Sequence, residues 1–294
     1  LLCIGDPHLS SRTPGFRKDD YPRTILNKMR FALDYAEREE LLPIVLGDMF
    51  HFPRDNANWL LTETMNLLAH RGVLTIPGNH DCSEDQLVAD DSLSVLEAAG
   101  VVKLIDRCDP LNLTINDVRV AVGGTAWGQK LPEKYERPNG EQLVFWITHH
   151  DILFAGYEDI GRIKPREIPG IDCILNGHIH RPLEKIVKGK TTWLNLGNIT
   201  RVSRGDASRD REPAVVRIDI APDATWSHTL VPIDFLPFDD VFEEGVMSNE
   251  EIPSDSPFVR GLEKLTALKT QGGAGLLQFL DENLHQFEPR VAAE

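Results

Sequence analysis

Val73-Leu74-Thr75-Ile76-Pro77-Gly78-Asn79-His80-Asp81 is the stretch on which the fold turns. Four apolar or β-branched residues read as a strand buried on both faces, and Pro77-Gly78 stops it. Asn79, His80 and Asp81, which can bind cations or move protons, follow at once. The same order occurs twice upstream: residues 1–5 run into Asp6-Pro7-His8, and residues 42–46 run into Gly47-Asp48. The intervening segments have helical period. Residues 21–40 place Ile25, Met29, Leu33 and Ala36 on one face, and residues 56–71 do the same with Leu60, Leu61, Met65 and Leu68. Strand, helix, strand, helix, strand at this spacing predicts a parallel sheet built from βαβ units.

Further along, the pattern changes to hairpins. Residues 111–115 and 118–122 flank Asn116-Asp117, residues 185–187 and 192–196 flank Gly189-Lys190, and residues 214–220 and 225–231 turn at Pro222-Asp223. Buried-type strands at 143–147 and 171–175 feed His149-His150 and Gly177-His178-Ile179-His180. Parallel units followed by hairpins predict an α/β sandwich of two packed sheets with helices outside. After Pro237 the chain becomes acidic and rich in serine and proline. Helices are expected at 258–268 and 276–287, on either side of Gly272-Gly273. The expected division is a main domain over 1–235 and a helical appendage over 236–294.

The 294 residues, 41% hydrophobic and 26% charged, are ordinary for a globular protein. No apolar run approaches the roughly 20 residues that cross a bilayer, and no secretory pattern opens the chain, so no membrane partner and a cytoplasmic location are expected. The net charge of −15 excludes a protein that grips nucleic acid by bulk electrostatics. From Asp234 onward there are 13 acidic and 4 basic residues, so the stretch before it is less acidic. Cys3, Cys82, Cys108 and Cys173 are scattered without a CxxC spacing, and free thiols are expected.

The histidines carry the chemistry. Seven of the ten fall beside aspartate, asparagine or glycine in the clusters that follow strands, or just past Gly47-Asp48 at His51. Asp6 and His8 stand two apart in extended chain, where alternate side chains point the same way and reach one ion. Asp48 has two oxygens with which to bridge two ions, Asn79 offers a neutral oxygen, and His178 and His180 repeat the two-apart geometry. This mixture of oxygen and imidazole donors suits manganese, iron or zinc.

In these motifs the chain resembles the calcineurin-like metallophosphoesterase superfamily, whose series D-x-H, G-D, G-N-H-[DE], H and G-H-x-H is matched across residues 1–235. The resemblance implies a four-layer α/β/β/α sandwich of two mixed sheets. It implies two divalent ions, manganese foremost: one held by Asp6, His8, Asp48 and His180, the other by Asp48, Asn79, His149 and His178. His80 would act on the phosphate with Asp81 orienting its imidazole, and His150 would be structural. Attack on phosphorus would come from a water that both cations acidify.

Gly47-Asp48-Met49-Phe50-His51 further resembles the Mre11/SbcD nuclease branch, which implies His51 as a second catalytic histidine. The segment 195–203 resembles another stretch of that branch and implies Arg201 as a phosphate clamp, with Arg181 a second candidate. That branch implies a DNA exonuclease or endonuclease in repair, with DNA as substrate and a Rad50/SbcC-like ATPase as partner for the tail helices. A homodimer stays open. Cyclic-nucleotide phosphodiesterases share G-N-H-D, so a small phosphodiester is the alternative substrate. A third reading is a metal-bound scaffold without turnover.

Overall fold

The computed structural model describes residues 1–14, 16–158, 161–202, 204 and 209–243. Three βαβ units open the chain. Strands β1 (Leu2–Ile4), β2 (Pro43–Val45), β3 (Val73–Thr75) and β4 (Val102–Leu104) alternate with helices α1 (Tyr21–Arg38), α2 (Asn58–Leu68) and α3 (Ser92–Ala98). The later strands are β5 (Leu111–Ile115), β6 (Val118–Thr125), β7 (Leu143–Thr148), β8 (Cys173–Asn176), β9 (Pro182–Lys188), β10 (Thr191–Leu196), β11 (Ala214–Ile220) and β12 (Trp226–Pro232). A short helix α4 (Phe238–Val241) follows.

Two six-stranded sheets result, in the orders β12-β11-β1-β2-β3-β4 and β5-β6-β7-β8-β10-β9. In the first, β1 to β4 are parallel and the β11–β12 hairpin joins β1 antiparallel. In the second, β6, β7, β8 and β10 are parallel, with β5 and β9 antiparallel at the edges. The expected hairpins therefore exist, but two of them only frame a parallel centre. The turn at Asn116 and Asp117 has φ of 49° and 63°, as a two-residue hairpin turn with matching twist requires.

Side-chain alternation builds two cores from one sheet. Leu2, Ile4 and Val45 face the helices, where they meet Ile25, Met29, Leu33, Leu60 and Leu93. Cys3, Ile44 and Leu74 face the second sheet and pack with Val120, Phe145, Ile147, Cys173 and Leu194. Each such side chain, fully buried, contributes about 1.5–3 kcal/mol, so burial on both faces explains why these strands read as unbroken apolar runs. Asp20 caps α1 by accepting from Arg23 N at 3.3 Å, and Pro22 occupies the first turn, where its missing N–H leaves no bond unmade.

The outer face of the second sheet is covered by loop residues Ile152, Phe154, Ile168, Ile171 and Ile179 over Val144, Ile174 and Trp193. Among the described residues no helix lies in that layer. Helix α3 was not legible in the sequence because seven residues are too few to display a period, and β4 was not because the exposed Lys103 breaks the apolar run that marked β1 to β3. The compact unit holding both sheets runs from Leu1 to Glu243. Phe238, Val241 and Phe242 cluster at its end, and Arg17 stacks over Phe242 at 5.5 Å. The helices expected at 258–268 and 276–287 lie outside the described residues. Cys3 and Cys173 are buried, Cys108 is exposed, and all four thiols are free. Among the described residues no helix is long and apolar enough to cross a membrane.

Candidate metal centre

The centres of both sheets deliver polar side chains from the carboxyl ends of their parallel strands, the usual position for ligands in sheets of this kind. Asp6 and His8 follow β1, Asp48 follows β2, Asn79 follows β3, His149 follows β7, and His178 and His180 follow β8. Four of these residues sit in left-handed backbone: Asp6 at φ 30°, His8 at 50°, Asp48 at 48° and His178 at 69°. Such conformations cost on the order of 1–3 kcal/mol each, and they persist where the surroundings over-determine them. Two glycines show how closely the loops are interleaved. A Cβ on Gly78 would stand 2.1 Å from Asp48 Oδ1. One on Gly47, itself at φ 99°, would meet His149 Nδ1 at 2.4 Å.

The side chains converge. His8 Nε2 and His180 Nε2 are 2.9 Å apart, with Asp48 Oδ2 at 3.7 Å from His8 and Asp6 Oδ2 at 3.8 Å from His180. On the other side of Asp48, His149 Nε2 lies 3.2 Å from Asp48 Oδ2 and 3.2 Å from Asn79 Oδ1, which is in turn 2.9 Å from His178 Nδ1. Two sets of donors thus share Asp48: His8, Asp48 and His180 in one, and Asp48, His149 and His178 in the other.

Hydrogen bonding tests whether these atoms suit cations. His149 Nδ1 donates to Leu46 O at 2.8 Å, leaving Nε2 as a bare lone pair facing two oxygens. His178 Nε2 donates to Asp151 Oδ1 at 2.8 Å, leaving Nδ1 bare against Asn79 Oδ1. Both oxygens of Asp6 and Oδ2 of Asp48 are buried without a hydrogen-bond partner. Acceptors crowded against acceptors repel one another unless a cation or a proton sits among them. The residues fit a pair of divalent ions.

Without a cation, protons take that place. Burial lifts the Asp6 carboxyl to about 8, with Asp48 adding to the rise and His149 opposing it. Burial disfavours the His149 imidazolium, yet the adjoining Asp48 carboxylate outweighs this and raises it to about 10. Burial lowers His180 to about 3 and His8 well below the ordinary imidazole value, which keeps both in the neutral form that binds metals.

His80 stands beside this cluster, its backbone N–H donating to Asp48 Oδ1 at 2.8 Å. Its ring is oriented by the His51 carbonyl, 2.8 Å from Nδ1, so Nε2 is the nitrogen left for chemistry. The His51 and His80 rings stack at 5.3 Å, and burial with His80 nearby lowers His51 to about 4. Asp81, expected to orient His80, does something else. Its carboxylate accepts from Gly78 N (2.9 Å), Met49 N (3.1 Å) and Phe50 N (3.0 Å), which ties the two motif loops together. Adjacency in sequence suggested a ring partner, but three converging amides claim the buried carboxylate.

Arg201 also departs from expectation. Arg201 is buried, donates to Arg211 O and Leu236 O, and stacks over Phe235 at 4.7 Å. Its guanidinium is engaged in holding the chain, which corrects the phosphate-clamp expectation. Arg181 donates to Gly156 O. His150 bonds Gln129 O at 2.8 Å through Nε2 and stands outside the donor sets, in keeping with a structural role. Three participants were not read from the sequence. Asp151 directly follows His149-His150, and a carboxylate there was a usable signal. Trp127, tilted over the His178 ring at 4.8 Å, and Arg211, which donates to His180 O, Asn198 Oδ1 and Thr200 O, gave none.

The profile of the calcineurin-like phosphoesterase family matches residues 1–182, and the chain belongs to that family: a phosphoester hydrolase whose site is built for divalent metals. No significant match is found among curated proteins. The solution NMR structure of TM1076 from Thermotoga maritima is 17% identical and covers 79% of this chain and 98% of that one. Its TM-score is 0.32, too loose a likeness to carry any argument.

Proposed function

We propose that the chain is a two-metal phosphodiesterase of the Mre11/SbcD type that cleaves DNA. The observation carrying this reading is the stacked His51–His80 pair beside the donor sets, with Phe52 packed on His51 at 4.6 Å and 40% exposed at the rim. Asp6, His8, Asp48 and His180 would hold one ion, and Asp48, Asn79, His149 and His178 the other, with manganese foremost. When bound, the ions supply Lewis acidity and an activated water. Asp48 joins the two positions and fixes His80 through its backbone N–H. His80, as an imidazolium that keeps Nδ1–H on the His51 carbonyl, would give its Nε2 proton to the leaving oxygen and end as the neutral imidazole. His51, neutral near pH 7 by virtue of its lowered pKa, donates a hydrogen bond to a phosphate oxygen instead of acting as an acid.

The test is cleavage of linear duplex and single-stranded DNA with manganese, using Asp48→Asn and His80→Ala as controls. A second reading, a phosphodiesterase of nucleotide-sized substrates, is favoured by the net charge of −15. Hydrolysis of bis-p-nitrophenyl phosphate with no cleavage of any DNA would select it.

A further inference from the structure

The two donor sets are unequal in charge. In the assignment proposed above, the first would have Asp6, whose Oδ2 lies 3.8 Å from His180 Nε2, besides the shared Asp48. The second has only the shared Asp48, with neutral Asn79 and two imidazoles. A dication in the second position is therefore short of one negative charge relative to its neighbour. His149 does not make up the difference, because its far nitrogen donates to a neutral carbonyl, Leu46 O. His178 is different: its Nε2 lies 2.8 Å from Asp151 Oδ1.

We infer that Asp151 is the positioning residue of the second metal position: it fixes His178 in the tautomer that presents Nδ1, and it lends that imidazole its charge. A carboxylate is acceptor-only when ionised, so Nε2 must carry the proton and Nδ1 the lone pair, beside Asn79 Oδ1 at 2.9 Å. Partial transfer of negative charge through this bond makes His178 a stronger donor. The geometry is held from several sides. Trp127 covers one face of the imidazole. The Asp151 backbone is pinned because its carbonyl accepts from Arg162 N and Ile163 N, both at 2.9 Å. Arg162 Nε stands 3.8 Å from Asp151 Oδ2, on the side away from His178. Asp151 contacts His178 and would act through it.

This inference rests on His178 being a ligand, and the experiment separates the two claims. Manganese binding to the full chain is measured by equilibrium dialysis with elemental analysis, and the cobalt-substituted protein is followed by visible absorption. The wild type is expected to hold two ions. Asp151→Asn should keep the first at unchanged affinity and weaken the second by about 10- to 100-fold. Asp151→Ala should weaken it at least as much, and both should lose the second cobalt's spectral contribution. Asp151→Glu should recover part of the affinity. The melting temperature of the metal-free protein should not move. Full affinity for both ions in Asp151→Ala, or equal loss of both, overturns the role of Asp151. A wild type holding fewer than two ions, or a His178→Ala variant with an undisturbed second affinity, overturns the metal reading beneath it.

Discussion

The donor loops and the Asn198–Arg201 turn bury polar residues side by side, yet to opposite ends. In the donor loops Asp6 and Asp48 present oxygens that nothing in the protein satisfies. In the turn, every main-chain oxygen from Asn198 to Arg201 accepts from a basic side chain: Arg211 reaches Asn198 and Thr200, Lys28 reaches Ile199 at 2.9 Å, and Arg17 reaches Arg201. The unpartnered atoms of the donor loops are carboxylate oxygens, which a cation would bind, whereas the turn spends its basic side chains on main-chain oxygens and leaves only the neutral Asn198 Nδ2 and Thr200 Oγ1 unpartnered. By this contrast Arg201 resembles a phosphate ligand in sequence and serves as a strut in the fold.

The contrast can be broken at several points. Asp48→Asn should lower hydrolysis of bis-p-nitrophenyl phosphate by at least about a thousand-fold, because both donor sets lose their shared carboxylate. Elemental analysis should show the ions lost with it; retention of two ions at full activity would remove Asp48 from the centre. His80→Ala should lower turnover by about a hundred- to ten-thousand-fold while both ions remain bound. Loss of metal in that variant would make His80 a ligand rather than a proton carrier.

Arg201→Met should behave as a scaffold variant. Removing the guanidinium leaves the Arg211 and Leu236 carbonyls without their donor, and urea denaturation should record a loss of about 2–4 kcal/mol. Turnover per folded molecule and KM for the phosphodiester should stay within about two-fold of the wild type. A raised KM at unchanged stability would restore Arg201 to the substrate.

The smallest effect is a pH dependence. Burial lowers Lys28 from 10.5 to about 7, with Arg17, Arg211 and Arg201 adding to the shift. Above pH 7 the native state sheds this proton while the unfolded chain keeps it until pH rises past the ordinary lysine value. The unfolded state therefore binds more protons in that window, and stability rises with pH. Relative to Lys28→Met, the wild type should gain about 2 kcal/mol between pH 7 and pH 9 by urea denaturation. A flat difference would mean that Lys28 titrates normally.

Much of the fold was legible because apolar runs and helical period are local. The stripe Ile25, Met29, Leu33 and Ala36 specified α1, and the strand preceding each polar cluster marked β1, β2, β3, β7 and β8 in turn. Short elements such as α3 and β4 escaped, and so did the parallel centre of the second sheet, since strand pairing joins residues far apart in sequence. The loop layer over Trp193 was equally hidden. Within the site, residue types and their spacing named the donors, whereas their partners could not be named. Asp81 next to His80 looked like its orienting carboxylate, but the amides of Gly78, Met49 and Phe50 come from two loops that only folding brings together.

By itself the order of residues determined which side chains could bind cations and that each follows a buried strand, because donor chemistry and unbroken apolar runs are written along the chain. Tertiary structure decided how each buried polar group was satisfied: Asp151 on His178, the His51 carbonyl on His80, Arg211 and Arg201 on main-chain oxygens. The physical reason is that a hydrogen bond or an ion contact depends on distances of about 3 Å between atoms far apart in sequence, 184 positions for Arg17 and Arg201, and no local pattern encodes them.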